Sequence, residues 1–377
     1  MNRKARYFLL LPFSTLYGCI TSIRNRLYDN ELLTSAKKNI PVVVVGNITV
    51  GGTGKTPHTE FIIEKLSENF NLAVLSRGYK RHSTGFVAAT PLLTARELGD
   101  EPKQMALRFP SIPIAVCENR SKGIDRLQEL HPELDCVVLD DAFQHRRIKP
   151  GYSIVLTDYN RLHTRDSLLP GGNLRESAKG SQRAHSIIVT KCRPNLSSPE
   201  MDAIAKELKI SPHQQLFFSS FVYGEIRPLF PAVALSVTEV NGSDKPLALN
   251  QQAILVVTGI VSPQLLTDEF KTRCNQLHTL HFPDHHDFSL RDFARIEQKF
   301  KSIVHPHKLI LTTEKDAARL INNPMLPDSI KKYIFVVPVK VQILNDREKV
   351  LIQNITDYVR ENSGNRRIPA TADTVGT

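Results

Sequence analysis

The chain has 377 residues, 41% of them hydrophobic and 23% charged. That balance belongs to a folded globular protein and excludes a disordered one; the length suits one large α/β domain or a core with a smaller second domain. Lys and Arg outnumber Asp and Glu by 49 to 38, and the net charge of +11 points to an anionic partner: a nucleotide, a phospholipid surface, a phosphorylated substrate or nucleic acid. A solvated basic surface gives the same charge. The chain shows neither zinc-finger spacing nor Lys/Arg runs interleaved with aromatics, so no nucleic-acid partner is expected. Cys19, Cys117, Cys136, Cys192 and Cys274 lie far apart and form no Cys-x-x-Cys pair. They read as reduced thiols of a cytosolic protein, not as a disulfide framework or a zinc site.

In chain order, residues 7–20 are largely apolar, with Lys4 and Arg6 before them and Arg24 and Arg26 after. The stretch is shorter than the ~20 apolar residues that span a bilayer. Pro12, Ser14, Thr15 and Gly18 also interrupt it, and no small-residue cleavage site marks a signal peptide. Leu9, Leu10, Phe13, Leu16, Tyr17 and Ile20 fall at helical spacing, which fits either a helix packed on the protein or an amphipathic helix lying in a membrane interface. Residues 42–45 form a β-branched run bounded by turn residues, the pattern of a buried parallel strand, followed by a Gly-rich turn and a helix over 56–69. Further strands are predicted at 72–76, 112–117, 136–139, 153–157 and 186–190, with a helix over 121–130. This alternation predicts a parallel sheet flanked by helices. The rhythm breaks over 221–250, which reads as a β-ribbon hinge. It resumes with strands at 254–257, 308–312 and 333–337, a helix from 263 and a last helix over 346–361. The expected organisation is an N-terminal helix (1–30), a larger α/β core (31–220), the hinge (221–250), a smaller C-terminal α/β domain (251–362) and a disordered tail (363–377).

Gly51-Gly52-Thr53-Gly54-Lys55-Thr56, between a predicted strand and a predicted helix, carries the chemistry of a Walker A loop. Glycines let backbone N–H groups turn towards phosphate oxygens, and the helix N-terminus adds partial positive charge. Thr49, Val50, Gly51, Gly52, Thr53, Gly54, Lys55 and Thr56 are the expected ATP-binding set. Lys55 would reach the β- and γ-phosphates, and the Thr56 hydroxyl would go to Mg²⁺. The usual leading glycine is Thr49 here, a departure that Gly51 and Gly52 can offset. Asp140 and Asp141 directly follow the run Val137-Val138-Leu139, a Walker B arrangement whose alternative is a capping or turn aspartate. Guanine readers carry Asn-Lys-x-Asp after a late strand; the nearest match is Thr190-Lys191-Cys192-Arg193, which argues for adenine. The fold class is therefore α/β, a P-loop NTPase-like parallel sheet flanked by helices.

The segment 46–57 resembles the phosphate loop of the tetraacyldisaccharide 4′-kinases, the lipid A kinases of Gram-negative bacteria, including its Thr49 departure. Further matches follow in order: Ser76-Arg77-Gly78-Tyr79, Gly99-Asp100-Glu101-Pro102, Glu118-Asn119-Arg120 and Asp140-Asp141-Ala142-Phe143-Gln144-His145-Arg146. Then come Pro170-Gly171-Gly172-Asn173-Leu174-Arg175-Glu176, Phe282-Pro283-Asp284-His285-His286-Asp287-Phe288 and Thr312-Thr313-Glu314-Lys315-Asp316. The resemblance implies transfer of the ATP γ-phosphoryl group to the 4′-hydroxyl of a tetraacylated disaccharide 1-phosphate. It also implies peripheral attachment to the anionic cytoplasmic face of the inner membrane, which turns the reading of residues 1–30 towards the lipid.

The same resemblance implies site roles. Asp100 would be the base and His285 its partner, an Asp–His dyad. Asp140, Asp141, Thr56 and Glu176 would surround Mg²⁺. Tyr79, Asn119, His145, Asn173 and Arg175 would contact substrate, and Arg77 and Arg120 would meet its phosphate. From the residues alone, Asp100 before Glu101-Pro102 also reads as a helix N-cap. Two other readings stand beside the lipid kinase: a P-loop kinase or ATPase with a soluble substrate, and a nucleotide switch or metallochaperone using the histidines of 284–287. No obligate protein partner is evident.

Overall fold

The computed structural model describes residues 3–233, 249–261 and 263–363. Part of the expected 221–250 ribbon and nearly all of the expected 363–377 tail lie outside the described residues. A helix, Arg3–Asp29, opens the chain. β1 (Val42–Asn47) leads into the helix Lys55–Ser67. Then come β2 (Leu72–Ser76), β3 (Val87–Ala88), short helices Ala95–Leu98 and Asp100–Arg108, β4 (Ile114–Val116) and the helix Arg120–Leu130. β5 (Cys136–Asp140), β6 (Tyr152–Asp158), β7 (Ser186–Thr190), the helix Ser198–Leu208 and β8 (Gln215–Tyr223) follow. After β9 (Arg227–Pro228) come β10 (Ala253–Thr258), the helix Gln264–Lys271, β11 (Gln276–His281), the helix Leu290–Ser302 and β12 (Lys308–Thr313). The helix Glu314–Leu320, β13 (Ile334–Val337), β14 (Val339–Ile343) and the helix Glu348–Ser363 complete the chain.

These elements form two compact units, neither contiguous in sequence. One takes residues up to Ser76, Asn119–Ser220 and the segment from Ile343; the other takes Arg77–Glu118 and Phe221–Gln342. The sequence reading drew its boundaries at 31–220 and 251–362. The packing instead groups residues 77–118 with the later segment and returns the closing helix to the first unit. That helix is held there because the Tyr358 hydroxyl accepts from the Val42 N–H at 3.1 Å and Glu348 pairs with Lys65 at 2.8 Å.

In the first unit the strands lie in the order β8-β7-β6-β1-β5-β2, with neighbours parallel. Val42 to Val45 are all but fully buried, as a strand covered on both faces requires. The N-terminal helix has an inverted pattern. Its inner side is small or polar: Ser14 and Thr21 are buried, Tyr17 donates to the Arg175 carbonyl at 2.8 Å, and Asn25 donates to Glu176 at 2.8 Å. Its outer side carries Phe13, Leu16, Ile20 and Ile23, between 59% and 61% exposed. Among the described residues, no helix is long and apolar enough to cross a membrane.

The second unit contains the antiparallel β3–β4 pair and a five-stranded sheet in the order β11-β10-β12-β13-β9, parallel except for β9. Alternate residues of its central strands feed two cores. Leu255, Val257 and Ile310 pack with Phe293 and Phe300, while Ile254, Val256 and Leu309 pack with Leu266 and Phe270. Each fully buried aromatic is worth roughly 1.5–3 kcal/mol, so both faces of this sheet contribute to its stability.

Local capping fixes where helices start. Thr94 and Glu97, Ser197 and Glu200, and Ser289 and Asp292 form capping boxes. Asn119 accepts from the Lys122 N–H at 3.1 Å and caps the helix Arg120–Leu130. Asn119→Ala should therefore cost about 1 kcal/mol in urea unfolding, with Asn119→Ser retaining most of the stability. Unchanged stability in Asn119→Ala would show that the cap contributes nothing.

Candidate active site

Gly54 is the N-cap residue of the helix Lys55–Ser67, and its φ of +83° and the +99° of Gly51 lie where only glycine sits without strain. The loop's carbonyls are tied by side chains of the first unit. Arg161 donates to Val50 O at 3.1 Å, Lys191 donates to Gly52 O, and Thr190 Oγ1 donates to Thr53 O at 2.8 Å. Two loop N–H groups are also committed, Val50 to the Asn173 carbonyl at 2.7 Å and Thr53 to the Gly51 carbonyl at 2.8 Å, so the N–H groups of Gly54 and the first helical turn are the ones placed for an anion. Asn47 Nδ2 donates to Thr53 Oγ1 at 2.7 Å, while the buried Thr49 Oγ1 has no hydrogen-bond partner among the described residues. Behind the loop, His58 is fully buried between the Gly54 carbonyl at 2.7 Å and Ser219 Oγ at 2.8 Å. Burial and the Lys191 charge push its pKa down to about 4, against the raising effect of the Gly54 bond, so it is neutral at pH 7.

Both expected acids sit at the end of β5. Asp140 is buried and accepts from Thr59 and Ser76 hydroxyls, each at 3.1 Å. Asp141 lies beside two cations, Lys55 Nζ at 3.7 Å and Arg175 at 3.3 Å, on a backbone with φ +47°. Thr56, one residue after Lys55, is half-buried in the first turn of the same helix. Glu176 is placed differently. It is 1% exposed, both of its oxygens accept from Arg183 at 2.9–3.0 Å, and Asn25 holds one of them. Its partners are a guanidinium and an amide, so it does not fit the expected metal-ligand role.

The expected substrate residues divide likewise. Arg175, besides Asp141, donates to Gln144 at 3.3 Å. Asn173 is bound at its side chain to Asp166 at 3.0 Å, and its carbonyl accepts from the Val50 N–H at 2.7 Å, so it braces the loop. His145 is half-buried in the turn after Asp141. Arg120 is fully buried and donates to the Asp140 carbonyl at 3.3 Å, which leaves it no solvent-facing guanidinium for a lipid phosphate. Asn119 is the helix cap described above. Arg77 and Tyr79 belong to the second unit and are exposed.

The second unit brings Asp100 and His285 together. Asp100 is the first residue of the helix Asp100–Arg108, and Gly99 holds the N-cap position, so Asp100 is not the cap. Its Oδ2 accepts from His285 Nδ1 at 2.6 Å and from Arg319 at 2.7 Å. Burial works to raise its pKa, but hydrogen bonds from His285 and Arg319 and the charges of Arg319 and Lys315 outweigh it and hold Asp100 well below the usual carboxylate range. The Tyr79 ring lies 5.8 Å from the His285 ring. His286 turns away to Asp292 at 3.0 Å. Three non-glycine residues of these clusters, Asp141, Lys191 and His285, have left-handed backbones, a form of strain that collects at functional positions.

Sequence reasoning missed Arg319, Asp316 and Lys191. Lys191 was weighed only as part of a failed guanine motif, and the structure gives it a clamp between Gly52 O and Asp158 at 2.7 Å. Asp316 closes the motif Thr312-Thr313-Glu314-Lys315-Asp316, which by itself assigns it no chemistry. The signal that could have found Arg319 is its spacing, three residues after Asp316 on one helix face.

Comparison with known proteins completes this picture. The profile of the tetraacyldisaccharide-1-P 4′-kinase family matches residues 6–360. The tetraacyldisaccharide 4′-kinase of Bacteroides thetaiotaomicron is 49% identical over 358 residues, covering 94% of each chain. That of Bacteroides fragilis is 46% identical, covering 97% of this chain and 96% of its own. A crystal structure of LpxK from Aquifex aeolicus in complex with ATP is 26% identical, with a TM-score of 0.69 over 94% of this chain and 99% of that one. The P-loop, its acidic pair and the Asp100–His285 dyad thus stand in a chain that belongs to the tetraacyldisaccharide 4′-kinase family.

Proposed function

We propose that this protein transfers the γ-phosphoryl group of ATP to the 4′-hydroxyl of a tetraacyldisaccharide 1-phosphate lipid. The observation that carries the reading is the strand–loop–helix of the first unit, with Lys55 at the helix start and Asp141 at 3.7 Å from its ammonium. The loop fits a nucleotide: positive-φ glycines and tied-back carbonyls lead into a helix N-terminus. Asp140, Asp141 and the Thr56 hydroxyl supply the oxygen donors that suit Mg²⁺; Glu176, already neutralised by Arg183, does not join them. Bound Mg²⁺ would neutralise charge on the transferring phosphates.

In this reading the loop and Lys55 bind and orient the triphosphate, and Arg175 fixes Asp141. Asp100 accepts the proton of the sugar hydroxyl as its oxygen bonds to the γ-phosphorus and the bond to the ADP oxygen breaks. His285 orients the carboxylate. Arg77 and Tyr79, exposed in the second unit, are available to the lipid; Arg120 is not. The inverted N-terminal helix supports a peripheral membrane surface, and an ATP-dependent reaction would put that surface on the cytoplasmic side. Four bulky apolar side chains face outward, while the polar side is used for packing.

The test is incubation with γ-labelled ATP, Mg²⁺ and disaccharide 1-phosphate lipid in micelles. Label should appear at the 4′ position and fall at least about 10²-fold in Lys55→Ala; absence of lipid label in a protein that binds ATP would overturn the reading. Asp100→Ala should lower kcat by roughly 10²–10⁴-fold with the ATP Kd unchanged, and near-normal turnover would remove Asp100 from the chemistry. Replacing Phe13 and Ile20 together by Ser should weaken co-sedimentation with anionic vesicles by about tenfold or more, without changing the thermal midpoint. Unaltered vesicle binding would refute the membrane surface.

A further inference from the structure

The Asp100 carboxylate is loaded on one oxygen only. Oδ2 accepts from both His285 Nδ1 and Arg319, whereas among the described residues no hydrogen bond reaches Oδ1. Arg319 is itself held. Its side chain is 6% exposed, one arm of the guanidinium goes to Asp100, and the other goes to Asp316 Oδ1 at 2.9 Å and to the Gly259 carbonyl at 3.2 Å. Asp316 is completely buried. Its Oδ2 accepts from Thr258 Oγ1 at 2.9 Å, the Gly259 N–H at 3.0 Å and Thr313 Oγ1 at 2.8 Å. Thr258 ends β10 and Thr313 ends β12, so the chain of contacts starts in the rigid sheet of the second unit and finishes on the carboxylate.

We infer that Arg319 is the positioning residue of the phosphoryl-acceptor base: anchored by Asp316, it fixes the Asp100 carboxylate so that Oδ1 is the oxygen that receives the sugar proton. This rests on the reading of Asp100 as the base. A planar guanidinium suits the task because its fork can bridge two carboxylates at fixed angles, which a lysine ammonium cannot. A cation at 2.7 Å also keeps Asp100 ionised far below neutral pH. The other charged groups around Asp100 are His285, Lys315 and Asp284 from the His285 side, Asp316 behind Arg319, and Glu101 on its own helix. Lys315 is paired with Asp284 at 2.9 Å, which leaves Arg319 as the cation in direct contact.

The experiment is the pH dependence of kcat/KM for lipid phosphorylation by wild type, Asp100→Ala, Arg319→Met and Arg319→Lys, with ATP Kd measured alongside. Removing the cation raises the pKa of Asp100 towards the ordinary carboxylate range, so Arg319→Met should lose activity on acidification at a higher pH than wild type, by roughly one pH unit or more. Its kcat should fall at least about tenfold with the ATP Kd unchanged. Arg319→Lys keeps the charge but not the fork: its acid limb should stay near that of wild type while kcat falls. An Arg319→Met limb that does not move, or an Arg319→Lys enzyme with wild-type kcat, overturns the inference; should Arg319→Met fail to fold, the lysine variant carries the test. Loss of turnover in Asp100→Ala together with either result separates this failure from failure of the base assignment, which near-normal turnover in Asp100→Ala would reveal.

Discussion

The in-register parallel pairing of β1 with β5 places most of the first unit's chemistry. Val45 lies opposite Asp140, so the strand that ends in the acidic pair stops beside the last residues of the strand that opens into the phosphate loop, which runs on to Asn47. Pairing of Leu75 with Leu139 sets Ser76 beside Asp140, which is why its hydroxyl reaches the carboxylate. On the other side of β1, Asp158 lies opposite Thr190, and Lys191 follows at once to join Asp158 to the loop. A slip of one residue along any of these strands would turn their side chains to the other face and dissolve the arrangement. The buried, branched sequence of β1 is therefore a condition for the site as well as for the core.

The two units hold a buried acid by the same device. Asp140 hangs from Ser76 and Thr59, and Asp316 hangs from Thr258 and Thr313. Hydroxyl donors satisfy a carboxylate without cancelling its charge, so the acid keeps an electrostatic demand for a further cation. At Asp316 the cation is Arg319. At Glu176 a guanidinium already occupies the carboxylate and the demand is spent inside the fold. This difference in partner chemistry, rather than proximity in sequence, sets Asp140 apart from Glu176.

Much of the fold could be read from residue order because its central strands are buried on both faces and so appear as unbroken apolar runs. β2 and β7 match their predicted limits for that reason. β11 was missed because only one of its residues is buried and its sequence carries two histidines and a glutamine. The helix Asp100–Arg108 was signalled only by the N-cap reading of Asp100, which places its start one residue late: Gly99 holds the cap, and Pro102 sits in the first turn, where proline lacks only an N–H that would be unsatisfied anyway. The helix Ser198–Leu208, absent from the predicted elements, is signalled in the sequence by Ser197 and Glu200 at capping-box spacing. Burial of arginines was beyond reach: Arg120 and Arg175 look alike in sequence, yet one supports a strand end from beneath and the other reaches Asp141. Grouping of residues 77–118 with the later segment depends on long-range packing that no local pattern encodes.

A carboxylate with two strong donors on one oxygen is a weak base, and general-base catalysis works best when the pKa lies near the working pH. The proposed reaction tolerates the weakness. Phosphoryl transfer passes through a loose transition state in which the acceptor oxygen is only partly bonded, so its proton need not leave early and placement of the nucleophile dominates the rate. Under that condition a base fixed in direction and ionised at every physiological pH serves better than a stronger one that is part-protonated or free to rotate. In the proposed reaction the sheet, Asp316 and Arg319 would supply direction, and His285 and Arg319 together would supply ionisation. In that reaction basicity is given up at Asp100 for geometry, and the left-handed backbone of His285 accompanies an imidazole held on the same oxygen as Arg319.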